Sequence, residues 1–377
     1  MIDAETLTML RDSMARFRQD NYTFEMRGRW LAKEPGYSRE AWQEYAALGW
    51  LAVPLPAKLG GFDGDPRAVA AVMEYVGGAL ALEPVFASTV LCGGLLARCG
   101  DQRVDGWLAA IASGEQMFAL AHAESADEGI AGNVHTVYRN GRVTGTKTAV
   151  LHGDVADRLV VSVRDSDNGA LSLCCVDPAA NGIAATRYRL VDGRGAASFT
   201  FDNAIAEKIG PDGDAASLLE EALDGARLAM CSETYGAIRA LNEATNEYLK
   251  TRKQFGRPIG ANQVLQHRMV DLLILQEEVR AVIDAAQRAA NGPASMRIRA
   301  VSAAAAHAAT AARQTAHEAV QMHGGMGITL ELPISHYFKR LMVTARLLGD
   351  RDDHVARFVA AANRDRAGTR DGRMRDD

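Results

Sequence analysis

The spacing of apolar residues changes character twice along the chain. From residue 1 to about 115 it is helical: Leu7, Leu10, Met14 and Phe17 fall on one helix face, and Trp42, Tyr45, Ala46 and Gly49 on a second. A turn-rich run from Lys58 to Gly64 follows, then a helix predicted from about Pro66 to Leu82 and another after Pro84. These apolar positions read as core packing. Between about 116 and 215 the period drops to two. Val134 to Arg139 and Arg142 to Thr146 are short β runs joined by Asn140-Gly141, a pair that tolerates positive φ at both turn positions and so predicts a hairpin. Further strands are expected at 158–163, 171–176 and 197–201. From about 216 the chain is helical again, and Leu265, Met269, Leu272, Leu275, Val279, Val282 and Ile283 form one long stripe. An alanine-rich run, Ala300 to Ala312, lets its helix approach neighbours closely. The pattern implies an α+β multidomain fold: a helical domain at 1–115, a β-barrel or sandwich at 116–215, a four-helix bundle at 216–362 and a disordered tail at 363–377.

Composition narrows the partners. The chain has 377 residues, 42 Lys and Arg against 47 Asp and Glu, and a net charge of −5 with no long basic run, so neither nucleic acid nor an anionic membrane is expected as a partner. The five cysteines, Cys92, Cys99, Cys174, Cys175 and Cys231, have no C-x-x-C spacing and read as reduced, mostly buried thiols. Without a signal-peptide pattern or an apolar run of ~18–20 residues, the sequence predicts a soluble cytoplasmic protein.

Two motifs carry the candidate chemistry. One is Arg252-Lys-Gln-Phe255-Gly-Arg-Pro-Ile259 followed by Gln263; the other is Gln321-Met-His-Gly324-Gly325-Met-Gly327. A planar, permanently charged guanidinium bonds two phosphate oxygens at once. Glycines without a Cβ let backbone come close to a ligand. The plain alternatives are a solvated helix-end arginine and an ordinary glycine helix stop.

In this order, after a β-rich segment, the motifs resemble the R-x-x-F-G-x-P-I…Q and Q-x-x-G-G-x-G signatures of the acyl-CoA dehydrogenase family. The resemblance extends over nearly the full length and is nearest to the small subunit of the pimeloyl-CoA dehydrogenase type, through Phe24 to Arg27, Leu82-Glu-Pro84, Ala121 to Glu124, Leu151 to Asp154 and Leu348 to His354. It implies FAD as cofactor, α,β-desaturation of an acyl-CoA thioester, and an electron-transfer flavoprotein as acceptor. It also implies a homo-oligomer, or a hetero-oligomer with a second acyl-CoA dehydrogenase subunit. By the same resemblance Arg252 meets the pyrophosphate region and Phe255 the adenosine, with Gln263 closing the first motif, while Gln321, Gly324 and Gly325 receive the far half of the cofactor. Arg227 matches a recurrent arginine on the substrate side.

The departures matter as much. The family's glutamate base has two known positions, which here fall on Leu348 and on Ala226, and neither residue abstracts a proton. Where the family has T-E-P-x-x-G-S-D, this chain reads Ala123-Glu124-Ser-Ala-Asp127-Glu-Gly129, and Ala149 and Leu151 stand where tryptophan and threonine normally line the flavin. Lys147 and Glu124 remain, as cofactor contacts or as a surface ion pair. Asp350, two places beyond Leu348, is a candidate displaced base; the alternatives are a cap for the last helix or, with Asp352, Asp353 and His354, a metal cluster, and no metal is assigned. The resemblance leaves three functional readings. They are a dehydrogenase subunit, a non-catalytic scaffold completing a partner's FAD site, and a flavoenzyme of the superfamily with other chemistry.

Overall fold

A computed structural model describes residues 2–125, 133–210 and 215–373, with side chains as far as 364. The expected contacts at Asp127 and Gly129 lie outside the described residues, as does the end of the chain after 373. The described chain groups into two units, one formed by 1–75 and 81–229, the other by 76–80 and 230–377. The N-terminal helices and the β-sheet both lie in the first unit.

In that unit the helices are α1 (Ala4–Asn21), α2 (Phe24–Leu31), α3 (Arg39–Ala47) and most of α4 (Pro66–Gly78), then α5 (Gly94–Arg98) and α6 (Asp105–Ala112). Asp3, Thr23 and Ser38 cap the first three, each accepting a backbone N–H from the first turn. Their apolar faces close around Glu83. Phe17, Tyr22, Tyr45, Trp50 and Tyr75 pack mostly edge to face, with Tyr45 stacked on Trp50, at centroid distances of 5.2–6.5 Å. Burial raises the Glu83 carboxyl, and it accepts from Tyr22 OH at 2.8 Å and from the Ser38 and Leu82 amides at 3.1 Å each. The segment after Pro84, expected as an ordinary helix, is a fully buried π-helix over Val85–Gly93.

The sheet follows: β1 (Phe118–Ala121), β2 (Val137–Arg139), β3 (Arg142–Leu151), β4 (Arg158–Asp165), β5 (Leu171–Val176), β6 (Ile183–Arg189), β7 (Gly195–Ile205) and β8 (Glu207–Ile209). The order is β6-β7-β3-β2-β4-β5-β8, with β1 added in parallel to β4. The expected hairpin forms, with Asn140 at φ 49° and Gly141 at φ 76°. Cys174 and Cys175, on opposite faces of β5, are both buried. Ser88 of the π-helix accepts from Phe118 N at 3.0 Å, and Trp107 of α6 packs on the Phe118 ring, so β1 is fixed against these helices.

The second unit holds the last part of α7 (Ala215–Thr251), a small hairpin of β9 (Lys253–Gln254) and β10 (Arg257–Pro258), then α8 (Gln263–Ala289), α9 (Ala294–His323), α10 (Pro333–Thr344) and α11 (Arg351–Arg373). Alanines 304, 305, 308, 309, 311 and 312 are all buried on α9, which packs against α8, α10 and α11. The last helix runs on to Arg373, through residues expected as a tail from 363. Where the sequence reads as charged and glycine-bearing, α11 still propagates from a well-capped start.

Arg340 and Glu233 form an ion pair of 3.0 Å with both side chains wholly buried. Removing one partner strands a charge in a low dielectric, so Arg340→Met should cost about 3–5 kcal/mol in urea unfolding, and Arg340→Met with Glu233→Leu should recover most of that loss.

Candidate active site

The two sequence motifs meet at one end of the second unit. The Tyr248 ring, one turn before Arg252, stacks on His323, two residues after Gln321, at 4.2 Å and 26°. The Tyr248 hydroxyl also donates to the His323 carbonyl at 3.5 Å. Beneath them Leu249, Met269, Leu272 and Met322 make a small core. Burial lowers the His323 imidazole, and its Nδ1 is 2.8 Å from the Ala319 carbonyl, so the ring is a neutral structural surface. Neither Tyr248 nor His323 stands out in the sequence as a site residue. The histidine lay inside the quoted motif, and Tyr248 sat one helical turn from its arginine.

On this base the motif residues stand outward. Arg252 is exposed, and its guanidinium has no hydrogen bond or ion pair among the described residues, while its backbone is fixed at both ends, N to Tyr248 O at 2.8 Å and O to Ile259 N at 2.9 Å. The β9–β10 hairpin carries Phe255 at φ 52° and Gly256 at φ 82° in its tip, and the phenyl ring is fully exposed. A β-hairpin tip tolerates glycine there far better than phenylalanine. Holding an apolar ring in water at a strained backbone position points to something that covers it. Gln263 opens α8, exposed. Gln321, Gly324 and Gly325 are also exposed. Gly324 adopts φ 60° and ψ −142°, a region open to glycine alone, and added Cβ atoms at 324 and 325 would meet nothing within 4 Å. The glycines serve the backbone here, and they leave open space beside it.

In the first unit the sheet presents a closed polar network. Lys147 is wholly buried, and its Nζ donates to Glu124 Oε1 at 2.8 Å, the His122 carbonyl at 2.9 Å and Ser162 Oγ at 3.0 Å. Glu124 also accepts the His135 amide at 2.8 Å and the Thr136 amide at 2.9 Å. Burial pushes the Glu124 carboxyl up, but the Lys147 bond and the amides outweigh it and hold it at about 2; burial draws Lys147 down to about 8 against the pull of its carboxylate partner. This is an ion pair, as the sequence allowed, yet it is interior where the surface was expected. Beside it a bulge in β3, between Lys147 and Val150, sets Ala149 at φ 51°, and His152 follows at φ 54°. Leu151, the other residue of that wall, is buried.

Of the positions expected to matter for proton abstraction, two carry buried alkyl side chains and the third a carboxylate engaged at a helix start. Ala226 is buried on α7, and Arg227 beside it is taken up by Asp224 at 3.2 Å and Glu220 at 3.5 Å. Leu348 is buried. Asp350 is exposed, and its Oδ1 accepts from the Asp352 and Asp353 amides at 2.8 and 3.0 Å while Asp353 Oδ2 accepts the Asp350 amide at 2.9 Å. That reciprocal arrangement is a capping box. The Asp353 and Asp352 amides, with Arg346 and His354, hold the Asp350 carboxyl below its usual range, the wrong direction for a base that works near neutral pH. Among the described residues no group of three or more His, Cys, Asp or Glu side chains is placed to hold a metal ion.

Comparison with known proteins agrees with this architecture. The acyl-CoA dehydrogenase N-terminal domain matches residues 4–115 and the acyl-CoA dehydrogenase C-terminal domain residues 216–362. The acyl-CoA dehydrogenase FadE27 of Mycobacterium tuberculosis is 30% identical over 343 residues, 86% of this chain and 88% of that protein. Among solved structures, a variant of the Tcur3481-Tcur3483 steroid ACAD superposes with a TM-score of 0.88 at 27% identity over 96% of this chain and 99% of that one. The ChsE4-ChsE5 complex from Mycobacterium tuberculosis gives 0.87 at 26% over 96% and 98%. The chain belongs to the acyl-CoA dehydrogenase family, oxidoreductases that act on acyl-CoA with FAD. No helix among the described residues is long and apolar enough to cross a membrane.

The residues present fit that cofactor unevenly. An uncommitted guanidinium, an exposed aromatic ring and an open glycine backbone suit a pyrophosphate and an adenosine. The sheet offers less: Ala149 gives no ring to face a flavin, and Lys147 and Glu124 are already spent on each other.

Asp350 separates a cap from a base. Asparagine caps nearly as well as aspartate, so Asp350→Asn should leave both the melting temperature and flavin reduction in the active complex nearly unchanged, whereas Asp350→Ala should cost about 0.5–2 kcal/mol of stability. Loss of flavin reduction by orders of magnitude in stably folded Asp350→Asn would restore the displaced base.

Proposed function

We propose that this chain is one subunit of a heteromeric acyl-CoA dehydrogenase that desaturates a sterol-side-chain, dicarboxylyl or long-chain CoA thioester, with the proton-abstracting glutamate supplied by a partner subunit. The observation that carries this reading is the pair of base positions. Both are buried alkyl side chains, Leu348 and Ala226, and the nearest acid to the first, Asp350, is committed to its helix.

Desaturation removes an α-proton and a β-hydride, and the flavin, when bound, accepts the hydride. This chain's residues would contribute binding. Arg252 neutralises pyrophosphate, Phe255 covers the adenosine, Gln263 and Gln321 offer amide donors and acceptors, and Gly324 and Gly325 bring backbone N–H groups close. Val264, Val270, Leu273 and Ile274 leave an apolar face exposed on α8, which supports burial against a second chain. The steroid ACAD and ChsE4-ChsE5 structures are named as two-protein assemblies, which supports a partner that is not a second copy. An electron-transfer flavoprotein is the proposed acceptor.

The scaffold reading has one observation in its favour, the closed Lys147–Glu124 pair beside Ala149. It predicts that the assembly keeps full activity with an altered β-domain wall in this chain.

Two measurements test the proposal. Arg252→Ala removes a charge-assisted contact of about 1.5–3 kcal/mol and should weaken FAD binding by roughly ten- to a hundredfold, read from flavin absorbance per chain; unaltered FAD affinity in the native complex would remove Arg252 from the site. The purified chain alone should fail to oxidise saturated acyl-CoA, and co-expression with a glutamate-bearing subunit should give turnover. Robust turnover by a homo-oligomer would overturn the heteromer.

A further inference from the structure

The connection from Gly324 to Leu332 joins α9 to α10 and leaves three large apolar side chains in water. Ile328 is 72% exposed, Leu330 64% and Met326 38%. One exposed leucine would be ordinary, because apolar atoms cover much of any protein surface. Met326, Ile328 and Leu330 at alternate positions instead make an apolar knuckle, with Thr329 and Glu331 between and beside its outer members.

The knuckle is held in one shape. Gly327 is buried, and a Cβ there would meet the Val320 carbonyl oxygen at 2.9 Å, so glycine lets the turn close onto α9. The Thr329 amide and hydroxyl both donate to the Met326 carbonyl, at 3.3 and 3.0 Å. Ser335 Oγ on α10 donates to the Thr329 carbonyl at 2.7 Å, and His336 Nε2 lies 3.3 Å from the Leu330 carbonyl. Thr329 has extended backbone and its side chain turns back on Met326, which puts Ile328 and Leu330 together on the other face. A surface ordered in advance loses little entropy when it is covered.

Three observations select what covers it. The knuckle continues directly from Gln321, Gly324 and Gly325, the glycine side of the candidate cofactor surface. An anionic lipid surface would call for basic neighbours, and here the neighbour is Glu331 on a chain of net charge −5. The chain's own end has only Ala367 and Met374 as apolar residues after 364, too little to bury three large side chains. Resting on the heteromeric assignment above, we propose that Met326, Ile328 and Leu330 are the anchor on which the glutamate-bearing subunit docks through an apolar surface of its own. Apolar groups bordering a charged contact exclude water from it, so the same docking closes one edge of the Arg252 surface.

Association of the two subunits in the co-expressed assembly, followed by sedimentation at falling concentration, tests the anchor. Ile328→Asp combined with Leu330→Asp should weaken association about tenfold or more, and Ile328→Val should leave it unchanged. Val191→Asp, at a side chain of similar exposure on the turn after β6, should also leave it unchanged. A measurement on the unaltered protein accompanies these: amides of residues 326–330 should exchange more slowly in the assembly than after dissociation by dilution. Full-strength association of the double aspartate variant, or amide exchange indifferent to assembly, would overturn the anchor. Dissociation of a homo-oligomer by the same variant would overturn the choice of partner, since the occupant would then be a second copy. Failure of the heteromeric assignment itself is read separately, as turnover by the unaltered chain with no partner present.

Discussion

The stack of Tyr248 on His323 joins helix ends that lie 75 residues apart in sequence, and the candidate cofactor surface depends on it. Neither ring reaches outward. The neutral imidazole is tied to its own helix through Ala319, and the tyrosine sits over it, so the last turns of α7 and α9 are fixed together on the Leu249, Met269 and Met322 cluster. Arg252 and the β9–β10 tip leave from one side of this joint, and Gln321 and the glycines from the other. A pyrophosphate needs its donors placed before it arrives, because ordering a long arginine and a loop on binding would cost part of the affinity.

Charge is handled in two ways in this chain. Inside, every prominent ion pair is closed: Lys147 with Glu124, Arg340 with Glu233, Arg194 with Asp192. At the ends of α7 and α9 the opposite holds, since Arg252 is uncommitted and Phe255 stands in water at a strained φ. Exposed, unpaired chemistry of that kind marks a place that another molecule completes. The same contrast sets Asp350 apart from a base, because its carboxylate is already engaged by two amides.

Much of the scaffold was legible from pattern. Asn140-Gly141 named its hairpin, the stripe from Leu265 to Ile283 named α8, and the strand at 171–176 fell where alternation placed it. Other elements were hidden. Phe118–Ala121 is buried on both sides and shows no alternation, and β6, with Arg187, Tyr188 and Arg189 exposed, has no apolar face long enough to read. The π-helix at Val85–Gly93 is buried on every side, so nothing in its spacing separates it from an α-helix. At the candidate site, the motifs named the outward residues and missed what holds them. Lys147 and Glu124 read as surface charges because a sequence does not show that the sheet and its neighbouring loops enclose them.

The central claim is that this chain presents part of a flavin site that a second chain completes. Flavin content measured as the assembly is diluted, with sedimentation and flavin absorbance followed on the same samples, tests it directly. The account predicts that FAD is released in step with dissociation. Separated chains that keep FAD at full stoichiometry would contradict it.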